Sequence, residues 1–98
     1  MNVAKLLQQV QQGQAQMERT LAELEVEGSA GGGLVRVRLS GLKELKGIRI
    51  EAATLAGEAS SVLEDLVTAA WQEASRLVEE RSREALARLG LRPGLTGL

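Results

Sequence analysis

Val3, Leu7, Val10, Gln14, Met17, Leu21 and Leu24 follow one another at alternating steps of four and three residues. That is the seam of an amphipathic, coiled-coil-like helix, and it predicts a helix over residues 3 to 24. Two seam positions stand out. Gln14 is polar where the pattern asks for an apolar residue, and the adjacent Gly13 costs about 1 kcal/mol relative to alanine in a helix interior. They suit either a close, register-fixing helix crossing or a local defect tolerated by packing. The flanking glutamines carry no charge, so ion pairs along the seam do not define a partner helix.

The period then drops from seven halves to two. In "LEVEG", Leu24 and Val26 alternate with Glu25 and Glu27. In "LVRVRLSG", Val35, Val37 and Leu39 alternate with Arg36, Arg38 and Ser40. In "KGIRIEA", Ile48, Ile50 and Ala52 alternate with Gly47, Arg49 and Glu51. Strict alternation with short connections predicts a three-stranded antiparallel meander with one buried face. "GSAGGG" would make the first connection and "SGLKELKG" the second, with a polar loop, "TLAGEAS", after the third strand.

A second long helix follows. Leu63, Leu66, Val67, Ala70, Ala74, Leu77 and Val78 form its apolar stripe, and Ser61 with Glu64 has the spacing of a capping box. Gly90 suits a C-cap, and Pro93 would forbid continuation. Residues 1 to 90 thus read as one α+β domain, with 91 to 98 as a short flexible tail. Along the second helix, Val67, Ala74, Arg81 and Arg88 share one row, so an apolar row turns cationic near the C-terminus. Either that end projects as an arm, or it is a solvated face held by Glu79–Arg83 and Glu84–Arg88 pairs at i,i+4 spacing.

Composition narrows the functions. The chain has no His, Cys, Tyr or Phe, one Asp (Asp65) and one aromatic residue, Trp71. Serines therefore have no histidine to activate them, thiolate chemistry and disulfides are excluded, and His or Cys metal sites cannot form. No acidic cluster has calcium-loop spacing. The chain is expected to be neither an enzyme nor a cofactor carrier. No apolar run spans a bilayer and no signal peptide precedes the first helix, which points to the cytoplasm.

Twelve basic residues meet thirteen acidic ones, so bulk charge does not mark a nucleic-acid binder; local segregation would have to. Arg36, Arg38 and Arg49 are expected to pair with Glu25, Glu27 and Glu51 on the outer sheet face. Lys43 and Lys46, in the second turn, have no obvious acidic partners. The glycine run itself is not a phosphate cradle. It precedes a strand, no Lys-Ser or Lys-Thr follows, and no helix N-terminus receives it. Consecutive glycines instead supply the positive φ angles and small bulk of a hairpin connection. With 98 residues, the chain buries only roughly 60–65% of its unfolded surface, which favours a dimer.

"ELEVEGSAGGGLVRVRLSG", then "IRIE", then "VLEDLVTAAWQEA", set between two long helices, closely resemble the YbaB/EbfC family of bacterial nucleoid-associated proteins. The likeness covers residues 3 to 85 and rests on the two anchors, the glycine-rich hairpin and "LEDLV", occurring together. It implies a homodimer with helical arms projecting like tweezers, binding of double-stranded DNA, and a nucleoid location with a role in nucleoid organisation and gene regulation. By position it implies Lys5, Arg76, Arg81, Arg83 and Arg88 as DNA-contact residues, with Arg36, Arg38, Lys43, Lys46 and Arg49 secondary. Leu7, Val10, Gln14, Met17, Leu21, Val35 and Val37 are expected to form the seam of core and dimer. The low lysine content departs from the family pattern. The alternative is a dimeric protein-interaction adaptor linked to recombination or replication, with weak DNA affinity.

Overall fold

The computed structural model describes residues 2 to 57 and 59 to 90. The order is α1 (Val3–Glu23), β1 (Glu25–Ala30), β2 (Val35–Ser40), β3 (Leu45–Ile50), α2 (Ala52–Gly57) and α3 (Ser60–Arg88). The expected tail and Pro93 lie outside the described residues. The helix–meander–helix plan is the one the hydrophobic periods predict.

The three strands form one antiparallel sheet in the order β1-β2-β3. Val26, Val35, Val37 and Leu39 face inward and are buried against Ala70, Ala74 and Val78 of α3. Leu66, Val67 and Leu77 pack at the margin of this cluster, so the expected helical stripe is the one used. Val35 and Val37 are wholly buried within the chain's own core, on the sheet face that α3 covers. The helix comes unusually close. A Cβ added to Gly28 would lie 2.7 Å from Ala74 Cα, so glycine on the strand and alanines on the helix let the two backbones meet.

The first connection is tighter than expected. β1 continues through Ser29 and Ala30, and Gly31 to Leu34 alone close the hairpin between Ala30 and its partner Val35. Gly31, Gly32 and Gly33 take φ of 65°, 70° and 96°, a run of left-handed backbone that side chains resist by about 1–2 kcal/mol per residue. The glycine run is a turn, as its position predicts.

The second turn corrects the assignment of Ser40 to the polar face. A register shift between Arg38 and Leu39 leaves Lys46 as an extra residue, since Arg38 faces Gly47 and Leu39 faces Leu45. Ser40 is buried, and its hydroxyl accepts from Leu42 N–H at 3.1 Å and Glu44 N–H at 3.2 Å. Lys43 sits at φ 63° beside it.

Three further expectations are revised. "TLAGEAS" is not simply a loop, because Ala52–Gly57 form the short α2, started by Thr54 and Leu55 N–H donating to Glu51 C=O. Ala52 therefore leaves the sheet and is exposed. The Ser61–Glu64 capping box does not form. α3 begins two residues earlier, with Ala59 as an extended N-cap that makes no side-chain bond, which places Ser61 inside the first turn. The C-terminal reading holds, with Gly90 at φ 81° and its N–H donating to Ala87 C=O.

α1 is capped by Asn2, whose side chain accepts from Lys5 N–H at 3.2 Å. It ends at Leu24, where the chain turns extended. Nothing along this helix is buried. Met17, Thr20 and Leu21 are half-buried, while residues 2 to 16 are exposed. The helix leans on α3 and β2 by its C-terminal part, and Gly41 packs against it, because a Cβ there would lie 2.5 Å from Leu21 C=O. The remainder projects, and the molecule measures 67 × 20 × 19 Å.

Candidate nucleic-acid interface

Among the described residues, most basic side chains fall into two regions, the C-terminal part of α3 with the projecting α1, and the outer face of the sheet, with Lys43 and Lys46 at the second turn. On α3, Arg76 is already engaged. It donates to Glu73 at 2.9 and 3.2 Å and to Glu80 at 3.0 Å. The hydrogen bond from Arg76 holds the Glu73 carboxyl below its ordinary pKa, and the same bond raises that of Arg76. All three groups remain on the surface, so this is a local clamp on the guanidinium more than a source of stability.

Arg81, Arg83 and Arg88 are exposed, and among the described residues none meets a carboxylate within 4.0 Å. The expected Glu79–Arg83 and Glu84–Arg88 pairs are not made. Glu79 instead reaches across to Lys43 at 3.6 Å, because α3 passes the β2–β3 turn at that level. Lys43 thus has an acidic partner after all, and Lys46 has one in Glu44 at 4.0 Å. From Arg81 to Arg88 there are three arginines against Glu84, a net +2. Lys5 is exposed near the start of α1 and is the sole charged side chain between Asn2 and Gln16.

On the sheet, charge pairing accounts for only part of the pattern. Arg38 lies opposite Glu27 and bonds Glu25 at 3.4 Å, its guanidinium passing over Gly47. Arg36, however, stands opposite Arg49 on β3 and Ser29 on β1. The expectation that the sheet arginines are matched by glutamates is corrected for this pair, since the register sets Glu25 and Glu27 opposite Ser40 and Arg38, and β1 is two strands away from Arg49.

The apolar expectations for an interface meet a similar division. Met17 and Leu21 contribute to the contact between α1 and the rest of the chain. Leu7 and Val10 are 58% and 50% exposed, and Gln14 is exposed with them. Nothing lies within 4 Å of a Cβ placed on Gly13, so among the described residues no crossing helix meets this point. On β3, the alternation assigns Ile48 to the core, yet it is 47% exposed, because α3 covers β1 and β2 and leaves β3 open. An open groove between α1 and the second turn is lined by Ala15, Glu18, Arg19, Ala22, Leu42 and Glu44, a mixed lining that offers no excess of positive charge.

Known proteins resolve what this arrangement belongs to. The sequence profile of the YbaB/EbfC DNA-binding family matches residues 1–92. The chain is a member of the YbaB/EbfC family. A nucleoid-associated protein of Xanthomonas campestris pv. campestris (strain B100) is 42% identical, over 96% of this chain and 93% of that one. A nucleoid-associated protein of Xylella fastidiosa (strain 9a5c) is 44% identical, over 92% of this chain and 87% of that one. The crystal structure of an uncharacterized protein from Helicobacter pylori shares the fold at a TM-score of 0.72 and 22% identity, covering 91% of this chain and 97% of that one. The YbaB/EbfC proteins are DNA-binding proteins and not enzymes. Among the described residues no helix is long and apolar enough to cross a membrane.

Proposed function

We propose that this YbaB/EbfC protein binds double-stranded DNA as a homodimer, mainly through phosphate contacts, and serves in the cytoplasm to organise the nucleoid and regulate genes. The observation that carries the reading is the set of uncommitted arginines at the end of α3. Arg81, Arg83 and Arg88 hold exposed positions on the last turns of α3, around the buried Ala85, with guanidiniums suited to phosphate. Lys5 on α1 adds a further cation. Arg76 is removed from the leading set, since Glu73 and Glu80 hold it.

Dimerisation is supported by what the single chain leaves uncovered. The first half of the α1 seam and the inner side of β3 are apolar and exposed, a costly arrangement for an isolated protomer. Near-neutral net charge supports a second reading, an adaptor that recruits recombination or replication proteins and holds DNA only weakly. Gel-shift titration with unrelated duplexes separates them. The DNA reading expects binding to each at similar affinity, and the adaptor reading expects none even at about 50 mM salt.

A further inference from the structure

The outer sheet face holds an arrangement that the helical arm does not explain. Across the ladder run Ser29, Arg36 and Arg49, a row with two cations and no anion. Among the described residues, no carboxylate comes within 4.0 Å of either guanidinium. Like charges directly opposite each other destabilise a strand pair, so folding gains nothing from placing two arginines there. The neighbouring row shows the contrast, with Arg38 drawn towards the acidic strand β1 and bonded to Glu25.

Local structure also positions Arg36. Its Nε donates to Gly33 C=O at 3.4 Å, which uses one of five donors and leaves four. Gly33 makes room for the side chain, since a Cβ there would lie 3.3 Å from Arg36 Nη2. The glycine turn thereby steadies one guanidinium beside the other.

We propose that Arg36 and Arg49 form a phosphate-binding pair that grips the phosphodiester backbone of duplex DNA, separate from the α3 arm. The inference rests on the DNA-binding reading and adds a second contact region to it. An anion between the two guanidiniums would cancel their repulsion and take charge-assisted hydrogen bonds from both. The hairpin lies against Leu66 of α3, fifteen residues before Arg81, which sets the two regions about 22 Å apart along the helix. Contributions over such a distance should be independent.

The test is fluorescence anisotropy of the full chain on a duplex of about 25 base pairs, between about 50 and 200 mM salt. Arg36→Gln with Arg49→Gln is expected to weaken binding roughly tenfold and to flatten the log–log salt slope by about 0.9 for each phosphate no longer neutralised. Arg36→Lys with Arg49→Lys should keep most of the slope, and Arg38→Gln should change it little. The melting temperature of the glutamine pair should equal or exceed that of the wild type. Should the pair fail to fold, Arg49→Gln alone carries the test, because Arg49 makes no side-chain hydrogen bond among the described residues. A folded glutamine variant with unchanged affinity and slope overturns the inference while leaving DNA binding by the arm intact. A wild-type chain that binds no duplex at about 50 mM salt overturns both.

Discussion

Gly28 of β1 lies directly against Ala74 of α3, so close that the strand has no room for a side chain. This packing fixes how α3 crosses the sheet and thereby aims its basic end. Ala70 and Ala74, both fully buried, are the helix's half of the same fit. Gly28→Ala would push a methyl into helix backbone, which cannot rotate away. It is expected to cost about 3 kcal/mol, measured by urea unfolding. A loss below about 0.5 kcal/mol, the size of an ordinary surface substitution, would show that the helix does not rest on the strand in this way.

The glycine hairpin makes a different prediction. Gly32 takes φ 70° with nothing near its Cβ position, so alanine there meets backbone strain and no clash. Gly32→Ala should destabilise by about 1 kcal/mol and leave DNA affinity unchanged. A large loss of affinity with little loss of stability would return a ligand-binding role to the turn.

The proposed dimer is expected to use the exposed part of α1. Leu7 and Val10 are uncovered in the chain and stand apart from its core, so charging them spares the protomer's own fold. The wild type is expected to be a dimer by light scattering at micromolar concentration, and Leu7→Glu with Val10→Glu a folded monomer. A wild-type monomer would overturn dimerisation itself, and a variant that remains dimeric would move the interface elsewhere.

Arg76 and Arg81 should behave differently although they are five positions apart. Arg81→Glu with Arg88→Glu is expected to weaken binding to unrelated duplexes alike, whereas Arg76→Gln should have little effect at neutral pH. The Glu73 carboxyl has its pKa lowered by the Arg76 hydrogen bond. That link is therefore complete above the ordinary carboxylate value of 4.5 and is lost as pH falls through the depressed value. Circular dichroism of the wild type and Glu73→Gln should converge only on that acidic side. Convergence at neutral pH would show that the clamp is absent.

Much of the fold is legible in the sequence because burial on one face leaves a period. Val26, Val35, Val37 and Leu39 alternate, and Ala70, Ala74 and Val78 recur at helical spacing, so sheet and helix can be read directly. Ile48 has the same alternation yet stays exposed, since periodicity tells which residues share a face and not whether another element covers it. Ser40 escapes the pattern because, at the end of β2, its hydroxyl turns inward to accept from Leu42 and Glu44 N–H in the second turn. The α3 start carries no sequence signal because Ala59 caps it by conformation alone. For the site, Arg81, Arg83 and Arg88 are visible from charge along one helix and from family resemblance. The Arg36–Arg49 opposition needs the pairing register, which a single sequence does not state, and the loss of Arg76 to Glu73 and Glu80 needs rotamers.

Phosphate contacts that hold DNA should show directly in the effect of salt. The most direct measurement is the wild-type dissociation constant for one duplex across about 50 to 200 mM salt. A straight log–log decline in affinity is expected, with a slope of about −0.9 for each phosphate neutralised, and the same slope on a duplex of unrelated sequence. Affinity that does not change with salt, or no binding at the lowest salt, would contradict binding through phosphates.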